Sequence, residues 1–193
     1  MMKNALANFW QKYKVWIIVV VVVLGIVVGP YNGLVSKQES VNEQWANVET
    51  DYQRRFDLVP NLVNTVKGFA AHESDVFKSV AESRSAWQKA GSVSSKIVAA
   101  GQFEGALARL LAVVESYPAL KSDANFLSLQ TELAGTENRI AVSRKRFNES
   151  VKEYNTYRRR FPSNIAAVIF GFEAKTSFEM QNDEAAKGIK VEF

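Results

Sequence analysis

Few side chains in this chain could carry out catalysis, and His72 is the most conspicuous of them. It is the only histidine and is followed directly by Glu73. With a nearby serine, these two residues could form a hydrolase site in which the histidine acts as a general base. However, the sequence has no Gly-rich phosphate loop, no HExxH metal motif and no G-x-S-x-G elbow. We therefore interpret His72-Glu73 as a polar interruption facing solvent or a neighbouring helix, and expect no enzyme activity, cofactor or metal site.

A second set of candidate residues is polar and falls on two predicted helices. Its members are Arg54, Arg55, Asp57 and Asn61 near Pro60, and Arg144, Asn148 and Asn155 further along the chain. Buried polar groups must be paired, and such pairs can set the register of packed helices. We expect Arg55 and Asp57 to be partly buried against the later helix, near Arg144 or Asn148. The alternatives are a polar site that binds a partner protein or a small anion, and side chains that are simply solvated.

Composition narrows the functional classes further. The chain has no cysteine, which excludes disulfides, thiolate metal sites and cysteine catalysis. Of its 24 Lys and Arg residues, Lys3, Lys12 and Lys14 precede the first long apolar run, which leaves 21 against 20 Asp and Glu for the remainder. A nucleic-acid-binding domain needs a basic face, so this near-neutral balance predicts no nucleic-acid partner.

The apolar run that precedes the polar set predicts a membrane anchor. Residues 15–28 are continuously apolar, and no charge occurs across residues 15–36. About 20 residues of helix cross the hydrocarbon core of a bilayer. A cleaved signal peptide is the alternative, but no A-x-A-like cleavage site follows the run. We therefore divide the chain into a short N-terminal segment (1–14), a single transmembrane helix with its interface (15–36) and a helical domain (37–193).

The lysines around this span predict its orientation. Three lysines precede it with no acidic residue, whereas Lys37 after the span is soon followed by Glu39 and Glu43. The positive-inside rule then places the N-terminus in the cytoplasm and the domain outside.

Apolar periodicity beyond the anchor predicts an all-α domain. A helical stripe runs from Val41 to Val66 and keeps its phase across Pro60, so we expect a kink there rather than a stop and restart. Trp45 and Trp87 fall on core positions. Residues 91–96 read as a loop, residues 102–117 as a helix ended by Pro118, and residues 122–160 as a long helix capped by Ser122 or Asp123. Three or four such helices predict an antiparallel bundle or a coiled-coil hairpin.

Two local features complete the pattern. Asn32-Gly33 reads as a turn or helix irregularity at the membrane surface. Residues 163–172 are apolar and uncharged, with Ser163 as a possible cap, but ten residues are too short to span a bilayer. We expect them to form a surface for self-assembly or for the membrane interface rather than core. Its members are Ile165, Val168, Ile169, Phe170 and Phe172.

The sequence resembles the LemA family. The resemblance rests on YNGLVSKQESVNEQWANVETDYQRRFDLVPNLVNTVKGFAAHE (residues 31–73), on residues 113–155, on FPSNIAAVIFGF (161–172) and on the closing residues 190–193. Phe147 stands where the family usually has tyrosine, and Ser177 where it favours an aromatic residue. The matching motif positions are Arg55, Asp57, Pro60, Asn61, Lys67, His72, Glu73, Asn138, Arg144, Asn148, Tyr154, Asn155, Phe161 and Pro162.

The resemblance implies a LemA-like antiparallel bundle behind one transmembrane helix in a bacterial inner (cytoplasmic) membrane. Some relatives, such as those of magnetosome membranes, are linked to membrane shaping or organelle formation. The expected function is thus a non-enzymatic scaffold or adaptor that self-assembles and contacts the bilayer, with a possible protein partner. A membrane-bound sensor or ligand-binding module is the alternative, and a hydrolase is a third. Descriptions of the family often place the N-terminus outside, so the opposite orientation stays open.

Overall fold

The computed structural model describes residues 2–178, which form helices and contain no strand. This confirms the predicted all-α class and the bundle-like arrangement of its helices. Side chains are described from Tyr13 onward, except those of residues 22 and 23. The helices of the described residues are α1 (Met2–Lys67), α2 (Ser74–Lys89), α3 (Val93–Val114), α4 (Pro118–Lys121), α5 (Ala124–Arg159) and α6 (Ser163–Ile169).

Helix α1 joins the predicted anchor to the first bundle helix without interruption. It contains 66 residues and continues through Pro60. The alternative of a helix that stops and restarts at this proline is therefore wrong. Pro60 is exposed, and its missing N–H costs the helix one backbone hydrogen bond, which the buried stripe on either side offsets.

A turn at Asn32-Gly33, one of the two expected alternatives, is wrong, because both residues are helical. Packing explains the glycine instead. A Cβ atom on Gly33 would lie 2.6 Å from Cζ and 2.9 Å from Cε1 of Tyr157, closer than carbon atoms pack. Glycine therefore allows the Tyr157 ring of α5 to approach the α1 backbone.

The chain divides into two compact units. The first unit combines the residues up to Val41 with Lys152–Lys175, and the second combines Asn42–Val151 with the residues from Thr176 on. Helices α1 and α5 therefore each contribute to both units.

Within the second unit, α1 and α5 run antiparallel. The rings of Trp45 and Phe147 lie 5.2 Å apart, while further along α1 Arg55 contacts Glu137, which comes earlier in α5. Within the first unit the same direction holds, because Gly33 meets Tyr157 and Lys37 binds Glu153 at 3.0 Å. These contacts show that α1 and α5 are antiparallel within each unit.

The core of the second unit is rich in aromatic rings. The Tyr52 and Trp87 ring centroids lie 4.5 Å apart, and those of Phe56 and Phe103 lie 4.7 Å apart in an edge-to-face arrangement. Such pairs stabilise a core beyond the area that they bury. Trp45 and Trp87 are both buried, which confirms their predicted core positions.

Helix α5 buries a stripe that repeats every seven residues. Leu133, Ile140, Phe147 and Tyr154 form its large members, and all are buried. Between these large members lie small buried side chains, which donate to the carbonyl three residues earlier: Thr136 to Leu133, Ser143 to Ile140 and Ser150 to Phe147. Each hydroxyl donates its hydrogen bond to a carbonyl of its own helix. These polar residues can therefore lie in the buried stripe without a partner on another helix.

The connections between the shorter helices correct two predictions. Residues 91–96 are not a loop, because α3 begins at Val93 and Ser92 caps it in a reciprocal capping box with Ser95. A run of serines therefore reads as a helix start rather than as a linker. Helix α3 ends at Val114, and Pro118 begins α4 instead of ending α3.

Asp123 accepts a hydrogen bond from the Phe126 backbone N–H at 2.9 Å, which confirms one of the two predicted caps of the long helix. Ser163, by contrast, is buried as the first residue of α6, with Pro162 at the cap position and no side-chain cap bond. The predicted Ser163 cap is therefore wrong.

Candidate functional site

The predicted polar residues do not form one cluster. Arg55 is 7% exposed, and its Nη1 lies 2.6 Å from Oε2 of Glu137 on α5. Asp57 is exposed and accepts a hydrogen bond from Gln53 at 2.8 Å, one helical turn earlier. The expected buried Arg55–Asp57 pair is therefore wrong, because residues two apart on a helix point to different faces.

The Arg55 guanidinium is incompletely satisfied. Its Nε is buried and has no hydrogen-bond partner among residues 2–178, and the Nη1 contact to Glu137 is a charge contact without hydrogen-bond geometry. Glu137 itself keeps about half of its side chain exposed. Among the described residues, the ion pair of Arg55 is with Glu137.

Two residues from two different helices meet at Glu104 of α3. The Tyr52 hydroxyl donates to Glu104 Oε1 at 2.6 Å, and Arg144 Nη1 donates to the same oxygen at 3.0 Å. Burial, and then the adjacent Glu104 charge, raises the pKa of the Tyr52 phenol well above its usual value. The phenol thus stays a donor at neutral pH and ties α1 to α3 while Arg144 ties α5 to α3.

Sequence reasoning found Arg144 in this cluster but missed Tyr52 and Glu104. Tyr52 read as one more apolar member of the α1 stripe. Glu104 gave a signal that could have been used, since it adjoins the buried residues Phe103, Ala106 and Leu107. A half-buried carboxylate on an apolar helix needs a donor or a cation.

Arg144 and Asn148 also hold the C-terminal end of the described chain within the second unit. The Phe178 backbone N–H donates to Asn148 Oδ1 at 3.1 Å, and the Arg144 guanidinium lies 4.4 Å from the Phe178 ring centroid. The Phe178 ring packs edge-to-face on Phe147 at 6.0 Å. Asn148 therefore binds backbone, and Arg144 adds a cation–π contact.

Within the first unit, α5 binds the non-helical backbone of residues 172–175 in the same manner. Asn155 Nδ2 donates to the Lys175 carbonyl at 2.8 Å, and the Lys175 N–H donates back to Asn155 Oδ1 at 3.0 Å. Arg158 Nε donates to the Phe172 carbonyl at 2.6 Å. The Tyr154 hydroxyl donates to the Glu173 carbonyl at 2.8 Å, and burial raises the pKa of that hydroxyl.

Arg54 lies apart from these contacts, at an open groove between α1 and α5 in the second unit. The groove has a volume of about 480 Å³ and places Arg54 with Arg139 and Arg146, alongside Asp51 and Asn138. All three arginines are exposed. The spacing of Arg139 and Arg146, seven residues apart on one helix face, was the signal that sequence reasoning missed. Asn61 is exposed and does not line this groove.

His72 lies exposed in the turn between α1 and α2, and Glu73 precedes the first residue of α2. This placement agrees with a polar interruption that faces solvent. Within the described part of the chain, His, Asp and Glu form no group of three or more that could hold a metal ion.

The predicted apolar surface lies on α6 and the residues beside it, in the first unit. Ile165, Val168, Ile169 and Phe170 are exposed, and Phe172 is partly buried. The opposite face of α6 buries Ser163, Ala166 and Ala167. Most of the large apolar side chains of this segment therefore lie outside the core of the described chain.

Among the residues that the structure describes, two helices are long and apolar enough to cross a membrane. In α3, 44% of the most apolar stretch is buried inside the protein, as in the core helix of a soluble domain. In α1, only 12% of that stretch is buried, and it lies near the N-terminus. The α1 side chains that are exposed include Val15, Trp16, Ile18, Val21 and Leu24.

An uncovered apolar helix that continues into a helical bundle defines a membrane-associated helical protein. The family model of the LemA family matches residues 44–193, and this chain belongs to that family. It is 31% identical to magnetosome protein MamQ of Magnetospirillum gryphiswaldense, over 74% of this chain and 62% of that protein. It is 30% identical to magnetosome protein MamQ 2 of Paramagnetospirillum magneticum, over 77% of this chain and 64% of that protein. The chain thus spans less than two thirds of the length of these relatives.

Proposed function

We propose that this protein is a non-enzymatic helical scaffold, anchored by a single pass in the bacterial cytoplasmic membrane, which self-assembles and organises the surrounding bilayer. The observation that carries the proposal is the continuity of α1. One helix forms both the uncovered apolar stretch and the first buried stripe of the bundle. The domain is thereby held to its anchor by helix rather than by a flexible linker, which suits a structural element more than a tethered enzyme.

The use of the polar side chains supports a non-enzymatic role. Glu104 is shared between Tyr52 and Arg144, and Arg55 is matched to Glu137. Asn148 and Asn155 bind backbone groups. A catalytic base or nucleophile must be free to react with a substrate in a neighbouring cavity. These side chains instead bind other helices and backbone groups. The magnetosome names of the relatives add a membrane context.

The proposed topology places residues 1–14 in the cytoplasm, residues 15–36 in the membrane and residues 37–193 outside. Alkaline phosphatase fused after Phe193 should be active and a fluorescent protein fused there should be dark. The reverse pattern would put the domain, and any partner protein that it holds, in the cytoplasm.

Self-assembly and membrane organisation are tested together on the full chain. Native mass spectrometry in detergent should show oligomers, and reconstitution into vesicles at increasing protein density should change vesicle curvature or clustering by cryo-electron microscopy. A strictly monomeric chain that leaves vesicles unchanged at every density would refute the scaffold proposal.

A second candidate function, a ligand-binding sensor, is favoured by the groove that Arg54, Arg139 and Arg146 line. Three arginines beside one aspartate give this groove a net positive charge. Guanidinium groups bind carboxylate and phosphate bidentately, so a small multivalent anion is the expected ligand. Calorimetric titration with inorganic phosphate and citrate should detect binding that Arg139→Gln with Arg146→Gln removes and Arg109→Gln, outside the groove, preserves. Equal heats for all three proteins would reject a site here.

A further inference from the structure

The α6 end of the first unit carries an exposed apolar surface that the helical contacts leave uncovered. We define the α6 surface as Phe161, Ile165, Val168, Ile169 and Phe170. Phe161 is 77% exposed, Val168 83% and Ile169 61%. Large apolar side chains at such exposure, grouped on one short segment, indicate a contact surface rather than scattered surface residues.

The α6 surface lies beside the end of the apolar stretch of α1. The Tyr31 ring centroid is 4.8 Å from that of Phe170 and 5.8 Å from that of Phe172, both in edge-to-face geometry. Tyr31 follows the last residue of the apolar run, Val28, by three residues, which is about 5 Å of helix rise. Tyrosine is also typical of the membrane–water boundary. If α1 spans the bilayer, Tyr31 therefore sets α6 at the depth of the headgroups.

Charge around the α6 surface matches an anionic bilayer. Residues 152–175 hold five Lys and Arg against two Glu. Arg159 and Arg160, directly before Phe161, are exposed, whereas Arg158 holds the Phe172 carbonyl and so fixes the segment against α5. One of the two glutamates, Glu153, is already paired with Lys37. Apolar side chains bordered by exposed arginines are the composition of segments that lie in a membrane interface.

The size of the surface also favours lipid over a second copy of the chain. Helix α6 has seven residues and is about 10 Å long. A stable protein–protein interface buries about 800 Å² on each partner, which is more than one face of so short a helix can supply. Contact with a bilayer does not require so large a buried area, because the anchor already holds the segment at the membrane.

We propose that the α6 surface, with Arg159 and Arg160, forms a second membrane contact, in which α6 lies in the headgroup region of the bilayer that α1 spans. The apolar side chains reach the acyl boundary while the two guanidinium groups bind lipid phosphates. This proposal rests on the spanning role of α1 given above.

The absence of native cysteine allows a direct test in the full chain, reconstituted in vesicles of mixed phosphatidylcholine and phosphatidylglycerol. Val168→Cys, labelled with an environment-sensitive fluorophore, should show blue-shifted emission and quenching by lipids that carry a nitroxide near the headgroup. Val98→Cys on α3, a matched valine at 51% exposure, should show neither. A Val168 label as solvent-exposed as the Val98 label overturns the proposal.

Two further labels separate the possible failures. Val21→Cys, in the α1 apolar stretch, should be quenched only by deep nitroxides. If the Val21 label lies deep in the bilayer and the Val168 label lies in water, the proposed anchor is supported and the second membrane contact is wrong. If both labels lie in water, the proposed anchoring itself is wrong. A blue-shifted Val168 label that no nitroxide quenches, but that self-quenches with protein density, assigns the surface to a second copy and likewise overturns the proposal.

The charge contribution is tested by Arg159→Gln with Arg160→Gln. In anionic vesicles the quenching of the Val168 label should fall at least twofold, and in pure phosphatidylcholine the double substitution should change little. Lys89→Gln with Arg109→Gln, which removes the same charge from α2 and α3, is the matched control. An equal loss of quenching in both pairs would show a non-specific charge effect and refute a role for these two arginines.

Discussion

Arg55 of α1 and Glu137 of α5 form an ion pair in which the arginine is buried and the glutamate is about half exposed, with 2.6 Å between Nη1 and Oε2. Asp57, two residues later on the same helix, does not share in this pair, because it accepts a hydrogen bond from Gln53. The pair therefore links the two long helices within the second unit by charge as well as by their apolar stripes.

Removing the Glu137 charge should destabilise the second unit. Glu137→Gln is expected to lower the free energy of unfolding by about 1–3 kcal/mol, less than for a fully buried pair, because water reaches the carboxylate side. Denaturant unfolding of the full chain in detergent, followed by circular dichroism, measures the change. Glu132 is an exposed residue of the same helix. Glu132→Gln and Asp57→Ala should each change the free energy of unfolding by no more than about 0.5 kcal/mol. Similar losses from Glu137 and Asp57 would restore the rejected Arg55–Asp57 pair.

Tyr52 should make stability fall in alkaline solution. Burial, and then Glu104, raises the pKa of its phenol in the folded protein above the ordinary value of 10.0. Above about pH 10 the unfolded chain loses this proton while the folded chain keeps it. The unfolded state then binds fewer protons, and stability drops as pH rises. Tyr52→Phe should show a shallower loss of melting temperature above pH 10 than the unchanged protein, whereas Tyr117→Phe should not. Parallel pH profiles for Tyr52→Phe and the unchanged protein would contradict this assignment.

Gly33 and Gly101 should respond in opposite directions to alanine. At Gly33 the added methyl group meets the Tyr157 ring, so Gly33→Ala should be destabilising by about 1–3 kcal/mol. At Gly101 in α3 the added methyl group meets nothing within 4 Å, so Gly101→Ala should stabilise by about 0.5–1 kcal/mol through helix propensity. Thermal unfolding of both variants provides the comparison. Tyr157→Ala should relieve most of the Gly33→Ala loss, and an undiminished loss in the double variant would place the strain elsewhere.

Asn155 should protect the backbone at Lys175. Asn155→Ala removes both hydrogen bonds that hold this residue, so trypsin should cut after Lys175 several times faster. Peptide mass spectrometry over a time course gives the rate at this bond. Asn155→Asp keeps the oxygen acceptor but not the amide donor, so its cleavage rate should lie between those of Asn155→Ala and the unchanged protein. Asn61→Ala, at an exposed position, should be cleaved at the rate of the unchanged protein. An unaltered rate in Asn155→Ala would mean that other contacts hold the segment.

The sequence alone determined the features that depend on local periodicity. The apolar stretch is a continuous uncharged run. The helical stripe from Val41 to Val66 and the long helix α5 follow from side chains three, four or seven positions apart. The core positions of Trp45 and Trp87 follow from the same periodicity. The Asp123 cap follows from the residue type that precedes a helix, and the LemA family from the resemblance of its motifs. Each of these features depends on residues that lie close together in the sequence.

Tertiary structure alone decided which polar side chains meet. Arg55 takes Glu137 and Arg144 takes Glu104, and neither partner was predicted. Partner choice depends on the angular position of each residue around its helix and on the register between antiparallel helices, and a shift of one residue rotates a side chain by about 100°. The same holds for Asn148 and Asn155, which bind the backbone of residues 30 and 20 positions away. No local spacing encodes that distance, so only the packed helices reveal it.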